Sequence, residues 1–411
     1  MKQSKLFGKT LKTVPKDEVS RNAELLIRGG FIDKLMAGAY SYLPLGYRVL
    51  DKIKNIIREE MNTIGGQELF MPALQPKALW EETGRWNDPG KAVMFQFKGR
   101  EDKEYGLGWT HEEVIVDIAR KRVSSYKDLP FALYQIQDKF RDEPRAKSGL
   151  LRGREFSMKD MYSFHSTEED LLNFYEKSKK AYLNIFKRCG LDALVVEASG
   201  GSFSKEFSHE FQALTPFGED TIFYCSNRDF AQNKEIAQVK AGDKCTICGE
   251  KILEGKAIEV GNIFKLYAKY SAPMKLQFTD ADGKKKDVIM GCYGIGPSRV
   301  MGTVVEVSND QNGIIWQDNV APYQIHLITI GDSAAVIEAG EKLYNHLLKK
   351  GEEVLFDDRA IFPGAKFADS DLIGIPTRLI ISEKTLIQES VEFKRRGEAK
   401  SELKPLKELY V

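Results

Sequence analysis

Cysteine is scarce. The chain has five in 411 residues (Cys189, Cys225, Cys245, Cys248 and Cys292). So few, and an odd number, exclude a disulfide framework and fit a reduced cytoplasmic protein. Long apolar runs are missing as well, which excludes a membrane-spanning helix and predicts no membrane partner. The opening MKQSKLFGKTLKT is charged and has no signal-peptide apolar core. Neither sign of charge is in excess: 61 basic residues stand against 60 acidic ones, a net charge of +1. A globally basic nucleic-acid binder is thereby excluded, and any nucleic acid must be held by local patches. There is no internal repeat and no low-complexity tract, so a repeat array is excluded. What remains is an ordinary globular composition, 42% hydrophobic and 29% charged. It is long enough for two or three domains with sizeable cores.

The most informative stretch is Lys139 to His165, KFRDEPRAKSGLLRGREFSMKDMYSFH. Two strand-like runs flank residues 144–153, where Pro144, Gly149 and Gly153 mix with Arg145, Lys147 and Arg152. This pattern predicts a hairpin loop. Alternation along the return strand puts Arg154, Phe156, Met158, Asp160 and Tyr162 on one face. A cation, an aromatic ring, a thioether and a carboxylate then share one sheet surface. A solvated, salt-bridged hairpin is the plain alternative.

Residues 1–30 read as a mobile arm followed by a short helix near Ala23–Arg28. Val49, Leu50, Ile53, Ile56, Ile57 and Met61 recur at helical spacing, which predicts a helix over 46–63 stopped by Gly65-Gly66. A short strand, 68–72, follows. Thr110 with Glu113 three residues on reads as a capping box opening a helix to Lys121. Residues 131–141 lead into the hairpin, and 168–190 form an amphipathic helix. Gly291-Cys292-Tyr293-Gly294-Ile295-Gly296-Pro297-Ser298-Arg299 enters another helix. It is not a dinucleotide fingerprint, since the third glycine and the βαβ setting are missing. After Asn319-Val320-Ala321-Pro322, strands alternate with helices, implying a small α/β domain.

These motifs together resemble the bacterial-type prolyl-tRNA synthetases, a family of class II aminoacyl-tRNA synthetases, over nearly the whole chain. Residues 46–72 resemble class II motif 1, 139–165 motif 2 and 291–307 motif 3. THEE at 110–113 resembles the family's proline-recognising loop. The resemblance implies an α+β fold. An antiparallel catalytic sheet with flanking helices would span 1–318, and an α/β anticodon-binding domain 319–411. It implies activation of proline by ATP with Mg²⁺, transfer to tRNA(Pro), and a homodimer built through motif 1. Arg141 would bridge the α-phosphate and the proline carboxylate, and Arg299 would cover adenine opposite Phe156. Glu143 would accept from the adenine amino group. Arg152 would meet the γ-phosphate, Glu219 would hold magnesium and Thr221 would lie near the nucleotide. Thr110, Glu112, Met158, Cys292 and Gly294 would surround proline.

The chain departs from that family in several places. The large editing insertion is absent near 236–245, so no clearance of alanyl-tRNA(Pro) is expected, and a separate trans-editing protein becomes a candidate partner. Asn262 stands where relatives have histidine, Tyr267-Ala268 where they have Gly-Thr, and Trp109 where many have proline. Cys225, Cys245 and Cys248 hint at a zinc knuckle, but no fourth ligand is obvious, so no structural zinc is expected. In the C-terminal part, Lys394-Arg395-Arg396 and Asp357-Asp358-Arg359 are candidates for tRNA contact. A class II synthetase for threonine or another amino acid, or a non-catalytic tRNA-binding paralogue, are the alternatives.

Overall fold

The computed structural model describes residues 1–13, 18, 20–144, 146, 148–204 and 206–410. Contacts divide the chain into two units, one of residues 37–39 and 53–303, the other of residues 1–36, 40–52 and 304–411. This contact division differs from the expected one at 319, because the N-terminal stretch sorts with the C-terminal residues. The arm expected at the start is corrected, because its first residues are tied down. The Met1 ammonium donates to Val354 O at 2.8 Å and Tyr344 Oη at 2.7 Å, and Phe356 N–H donates to Met1 O at 2.8 Å. Residues 14–17 and 19 of that arm lie outside the described residues.

The first unit is built on nine strands: β1 (Gly66–Glu68), β2 (Phe131–Phe140), β3 (Glu155–His165), β4 (Ala193–Ala198), β5 (Ser208–Leu214), β6 (Asp220–Cys225), β7 (Ala231–Asn233), β8 (Ile252–Tyr267) and β9 (Ile289–Ile295). Their order is β5-β4-β7-β6-β8-β9-β3-β2-β1, with β5 also pairing β8. All pairings are antiparallel except β1 with β2 and β7 with β4. The strand expected at 68–72 is therefore shifted to Gly66–Glu68, where it can pair with β2.

Two-residue alternation gives β3 two different faces. Phe156, Met158, Asp160 and Tyr162 line a cavity. Lys159 points the other way, fully buried, donating to Tyr182 Oη at 2.5 Å and Tyr293 O at 3.0 Å. Burial pulls its pKa down to about 7. Tyr182 belongs to helix Glu168–Arg188, which covers this face with Leu171, Tyr175, Ala181, Ile185 and Phe186. That helix is well specified at its ends. Thr167 accepts from Asp170 N–H at its N-cap, acids fill the first turn, and Lys187 and Arg188 close the last.

In the second unit, strands β10 (Ile325–Ile330), β11 (Val354–Asp357), β12 (Thr377–Ser382), β13 (Ser390–Arg395) and β14 (Glu402–Pro405) lie in the order β11-β10-β12-β13-β14. The first three are parallel and the last two antiparallel. Helices Ala334–Lys349 and Pro363–Ile373 supply the expected alternation. The basic clusters expected to meet tRNA are largely engaged within this unit. Arg359 pairs with Asp357 at 2.7 Å and Asp369 at 2.9 Å. Arg396 forks onto Asp310 at 2.7 and 2.8 Å, and Arg395 reaches Asp318 at 2.8 Å. No helix among the described residues is long and apolar enough to cross a membrane.

Candidate active site

A cavity of about 330 Å³ lies against β3, β8 and β9. It gathers Thr110, Glu112, Met158, Cys292 and Gly294 from the expected amino-acid set. It also gathers Arg141, Glu143, Arg152, Phe156 and Arg299 from the expected nucleotide set. Glu219 lies outside it, beside an adjoining cavity of about 180 Å³. There it ion-pairs with Arg152 at 3.3 Å and accepts from Ser148 Oγ at 2.7 Å. Thr221 lines neither space; its neighbour Asp220 does. Arg145 and Lys147 of the hairpin turn lie outside the described residues.

The Thr110–Glu113 loop is held from below by a buried polar chain. Lys139 pairs with Asp160 at 2.7 Å, Tyr162 Oη donates to Asp160 at 3.1 Å, and His111 N–H donates to Tyr162 Oη at 3.2 Å. His111, with no exposure, has its pKa pulled down to about 4 by burial and by the Lys139 charge. The helix expected to open at Thr110 begins at Glu112 with His111 as its N-cap. Thr110 is therefore not a cap. Its Oγ1 donates to Glu112 Oε2 at 2.7 Å, which places the hydroxyl in the cavity wall.

Glu112 Oε2 also receives Arg85 Nη1 at 3.1 Å, and Glu112 Oε1 lies 3.5 Å from Cys292 Sγ. Burial and the Glu112 charge hold the Cys292 thiol well above its usual range, so it stays an S–H donor. Gly294 offers open backbone, since a Cβ there would meet only Asn262 O at 3.7 Å.

Arg85 is one of the residues that sequence reasoning missed. It also donates to Glu113 Oε1 at 2.9 Å, and its guanidinium lies 4.6 Å from the Trp109 ring and 5.2 Å from Trp80. Trp109 is buried, stacked on Trp80 at 5.9 Å. The tryptophan that departs from the family pattern is thus one wall of an arginine cage. A lone arginine in a polar segment carries no local signal for this role.

At the other end, Arg141 lies 5.1 Å from the Phe156 ring, and its Nε donates to Trp109 O at 3.4 Å. Desolvation, then the nearby Arg299 charge, work against its cation. Such a site gains most when an anion enters. Arg299 donates to Leu151 O and to Glu259 Oε2, both at 2.8 Å. Glu210 and Glu259 line the same cavity, and neither was singled out from sequence. Three amides donate to Glu210: Gln212 at 2.8 Å, Asn233 at 3.2 Å and Asn262 at 3.4 Å. Asn262, the second departure, has a buried Oδ1 with no partner. At the third, Tyr267 takes φ +49°, a left-handed backbone that glycine adopts freely. Tyrosine there costs about 1 kcal/mol.

Burial, then the charge of Glu259, raises the Glu210 pKa to about 8. The unfolded group titrates near 4.3. Between these values the folded chain holds a proton that the unfolded chain has lost, so stability falls as pH rises from about 4.3 towards 8. Glu210→Gln is expected to raise Tm at pH 8 and to leave it unchanged at pH 4, as read by thermal melts. A gain of equal size at both values would refute the assignment.

No fourth ligand is expected beside the three cysteines, and none is obvious in sequence; in the structure Cys225, Cys245 and Cys248 converge, and Asp229 offers a fourth atom able to bind a metal, all four within 4.8 Å of one another. Asp229 escaped notice because a carboxylate in an exposed turn is unremarkable in sequence.

Comparison with known proteins first fixes the class. Residues 95–308 match the family described as tRNA synthetase class II core domain (G, H, P, S and T), and residues 324–410 match the anticodon binding domain. Proline--tRNA ligase of Sulfurihydrogenibium sp. (strain YO3AOP1) is 36% identical over 554 aligned positions, covering 99% of this chain and 98% of the relative. That of Bacillus cereus (strain G9842) is 35% identical, covering 100% and 98%. Among solved structures, Giardia lamblia prolyl-tRNA synthetase in complex with prolyl-adenylate superposes with a TM-score of 0.78 at 19% identity, covering 94% of this chain and 75% of that one. The Cryptosporidium parvum enzyme complexed with L-proline and AMP gives 0.77 at 18%, covering 95% and 73%. The chain belongs to the proline--tRNA ligase family.

Proposed function

We propose that this chain joins proline to tRNA(Pro) in two steps. A proline carboxylate oxygen attacks the α-phosphorus of ATP, and the bond to pyrophosphate breaks. A terminal ribose hydroxyl of the tRNA then attacks the prolyl carbonyl, and AMP leaves. The observation that carries this reading is one cavity with a carboxylate-and-hydroxyl pair, Glu112 and Thr110, and two arginines, Arg141 and Arg299. The first pair suits a secondary ammonium. The second suits phosphate and carboxylate oxygens. Proline-dependent exchange of pyrophosphate into ATP tests it; exchange with another amino acid alone, or none, would overturn it.

Within that reading, Phe156 and Arg299 sandwich adenine, Glu143 accepts from its amino group, and Arg152 meets the γ-phosphate. Met158, Cys292 and Gly294 bound the proline ring. Glu210 and Glu259, with Glu219 at the rim, form the carboxylate set suited to Mg²⁺, which would neutralise charge on the phosphate oxygens. The C-terminal unit would hold the anticodon stem-loop. The chain would work in the cytoplasm, where its five free thiols stay reduced.

Lack of self-editing is part of the proposal. The 554 positions aligned to the first relative exceed this chain's 411 residues, leaving at least 143 without a counterpart here. The link between β7 and β8 is short, residues 234–251. A pocket for proline discriminates weakly against smaller apolar substrates, by about 10–200-fold per methylene. Alanine-dependent exchange is expected to be detectable, and alanyl-tRNA(Pro) to persist with the purified chain unless a separate protein clears it. Its deacylation by the chain alone would refute this.

A homodimer is proposed on exposed apolar side chains at the end of motif 1 and just past it, Phe70 at 76% and Leu74 at 52% exposure. Light scattering should give twice the 46.6 kDa chain mass; a monomer at working concentration would count against it.

A further inference from the structure

Two separate turns bring the cysteine–aspartate group together, away from the cavity residues. In the first, Arg228 N–H donates to Cys225 O at 2.9 Å and Cys225 N–H donates to Phe230 O at 3.0 Å. This closes the β6–β7 hairpin and returns the Asp229 carboxylate to 2.6 Å from Cys225 Sγ. In the second, Cys245 N–H donates to Glu250 O at 2.7 Å, and Ile252 N–H donates to Asp243 O at 2.8 Å. Gly249, at φ +77°, takes the left-handed turn, and Ile247 N–H donates to Cys245 Sγ at 3.4 Å. An amide N–H aimed at a sulfur stabilises it as a thiolate.

We propose that Cys225, Asp229, Cys245 and Cys248 form a structural zinc site that pins the link between β7 and β8. Tetrahedral zinc, with bonds of about 2.3 Å to sulfur and 2.0–2.2 Å to oxygen, holds its ligand atoms roughly 3.5–3.8 Å apart. Zinc would draw in the atoms now up to 4.8 Å apart and move the Asp229 carboxylate out from its 2.6 Å contact with Cys225 Sγ, each by about 1 Å. Three thiolates select zinc over the oxygen-seeking calcium and magnesium. Four protein ligands leave no open position, so the site is structural and not catalytic. Binding releases the thiol protons to solvent and changes no oxidation state. Cys225 and Cys245 are buried against Phe223 and Ile252, whereas Cys248 and Asp229 are exposed and give the ion a way in.

The link has little else to hold it. Residues 234–251 contribute no strand to the sheet, and their apolar contacts there come from Ala237, Val239 and Cys245. A metal is the usual staple where so small a core must stay folded. The proposal does not depend on substrate identity, so it stands or falls apart from the proline reading.

The full chain, reduced and stripped of metal, should bind about one zinc per molecule by atomic emission. Cobalt in its place should show thiolate charge transfer and the visible bands of tetrahedral coordination. Cys248→Ser, at an exposed position, is expected to bind zinc at least about ten-fold more weakly. It should melt at a lower temperature while keeping proline-dependent exchange below its Tm. Failure of the reduced parent chain to take up zinc or cobalt overturns the site. So does a Cys248→Ser chain that binds zinc as tightly as the parent, or a cobalt spectrum without thiolate charge transfer.

Discussion

Arg141→Ala is expected to lower kcat/KM for proline-dependent pyrophosphate exchange by about 10²–10³-fold, the cost of removing one donor aimed at developing charge. Arg141 is half-buried, next to Arg299 and over the Phe156 ring, and its cation is already desolvated. The interaction with an entering anion is therefore strong, and water cannot replace it. Arg141→Lys should not restore the rate, because an ammonium cannot make two parallel bonds to a phosphate and a carboxylate. Stability should change little, since among the described residues the side chain's hydrogen bond is a long 3.4 Å contact to Trp109 O. A variant that keeps exchange within ten-fold of the parent would remove Arg141 from the chemistry.

Arg85→Leu should be the most destabilising of the substitutions considered, by about 3–5 kcal/mol, the range for breaking a buried ion pair. Glu112 and Glu113 have no exposure and share this one guanidinium, itself 5% exposed. Without it two carboxylates remain buried side by side. Burial already raises the Glu113 pKa, with Arg85 opposing the rise. Removing Arg85 should raise it further. A carboxyl with a raised folded pKa loses stability as pH rises above its unfolded value, so the deficit should be smaller at pH 5 than at pH 8. Glu112 would also lose the partner that fixes it, and KM for proline should rise. Urea denaturation at the two pH values checks the first effect. A loss below about 1 kcal/mol at pH 8 would show the arginine to be dispensable.

The hairpin and the small-residue run were legible because their chemistry is local. Phe156, Met158, Asp160 and Tyr162 share a face by strand alternation alone, and they line the cavity as that alternation requires. Gly294 and Arg299 follow from one short motif. Arg85, Glu210 and Glu259 were not legible, since the strands and turns that bring them together are far apart in sequence. Thr110 was ambiguous for another reason: a hydroxyl with acids two and three residues on, Glu112 and Glu113, serves a site or a helix cap equally well, and only the start at Glu112 decides. The N-terminal residues show the same limit. MKQSKLF has no periodicity, and its order comes from an edge strand, β11, more than three hundred residues away.

The link between β7 and β8 bears on how proofreading is inherited. Strands β6 and β8 are zipped together from Asp220–Ala257 to Cys225–Ile252, and β7 is flanked by β6 and β4. The sheet's register is therefore fixed whatever chain joins these strands. Lengthening a flexible connection costs only about 0.6 kcal/mol per doubling. A whole folded module can be gained or lost at such a point with the synthetic site untouched. Under the proposed lack of self-editing, fidelity towards alanine would be separable from the charging reaction.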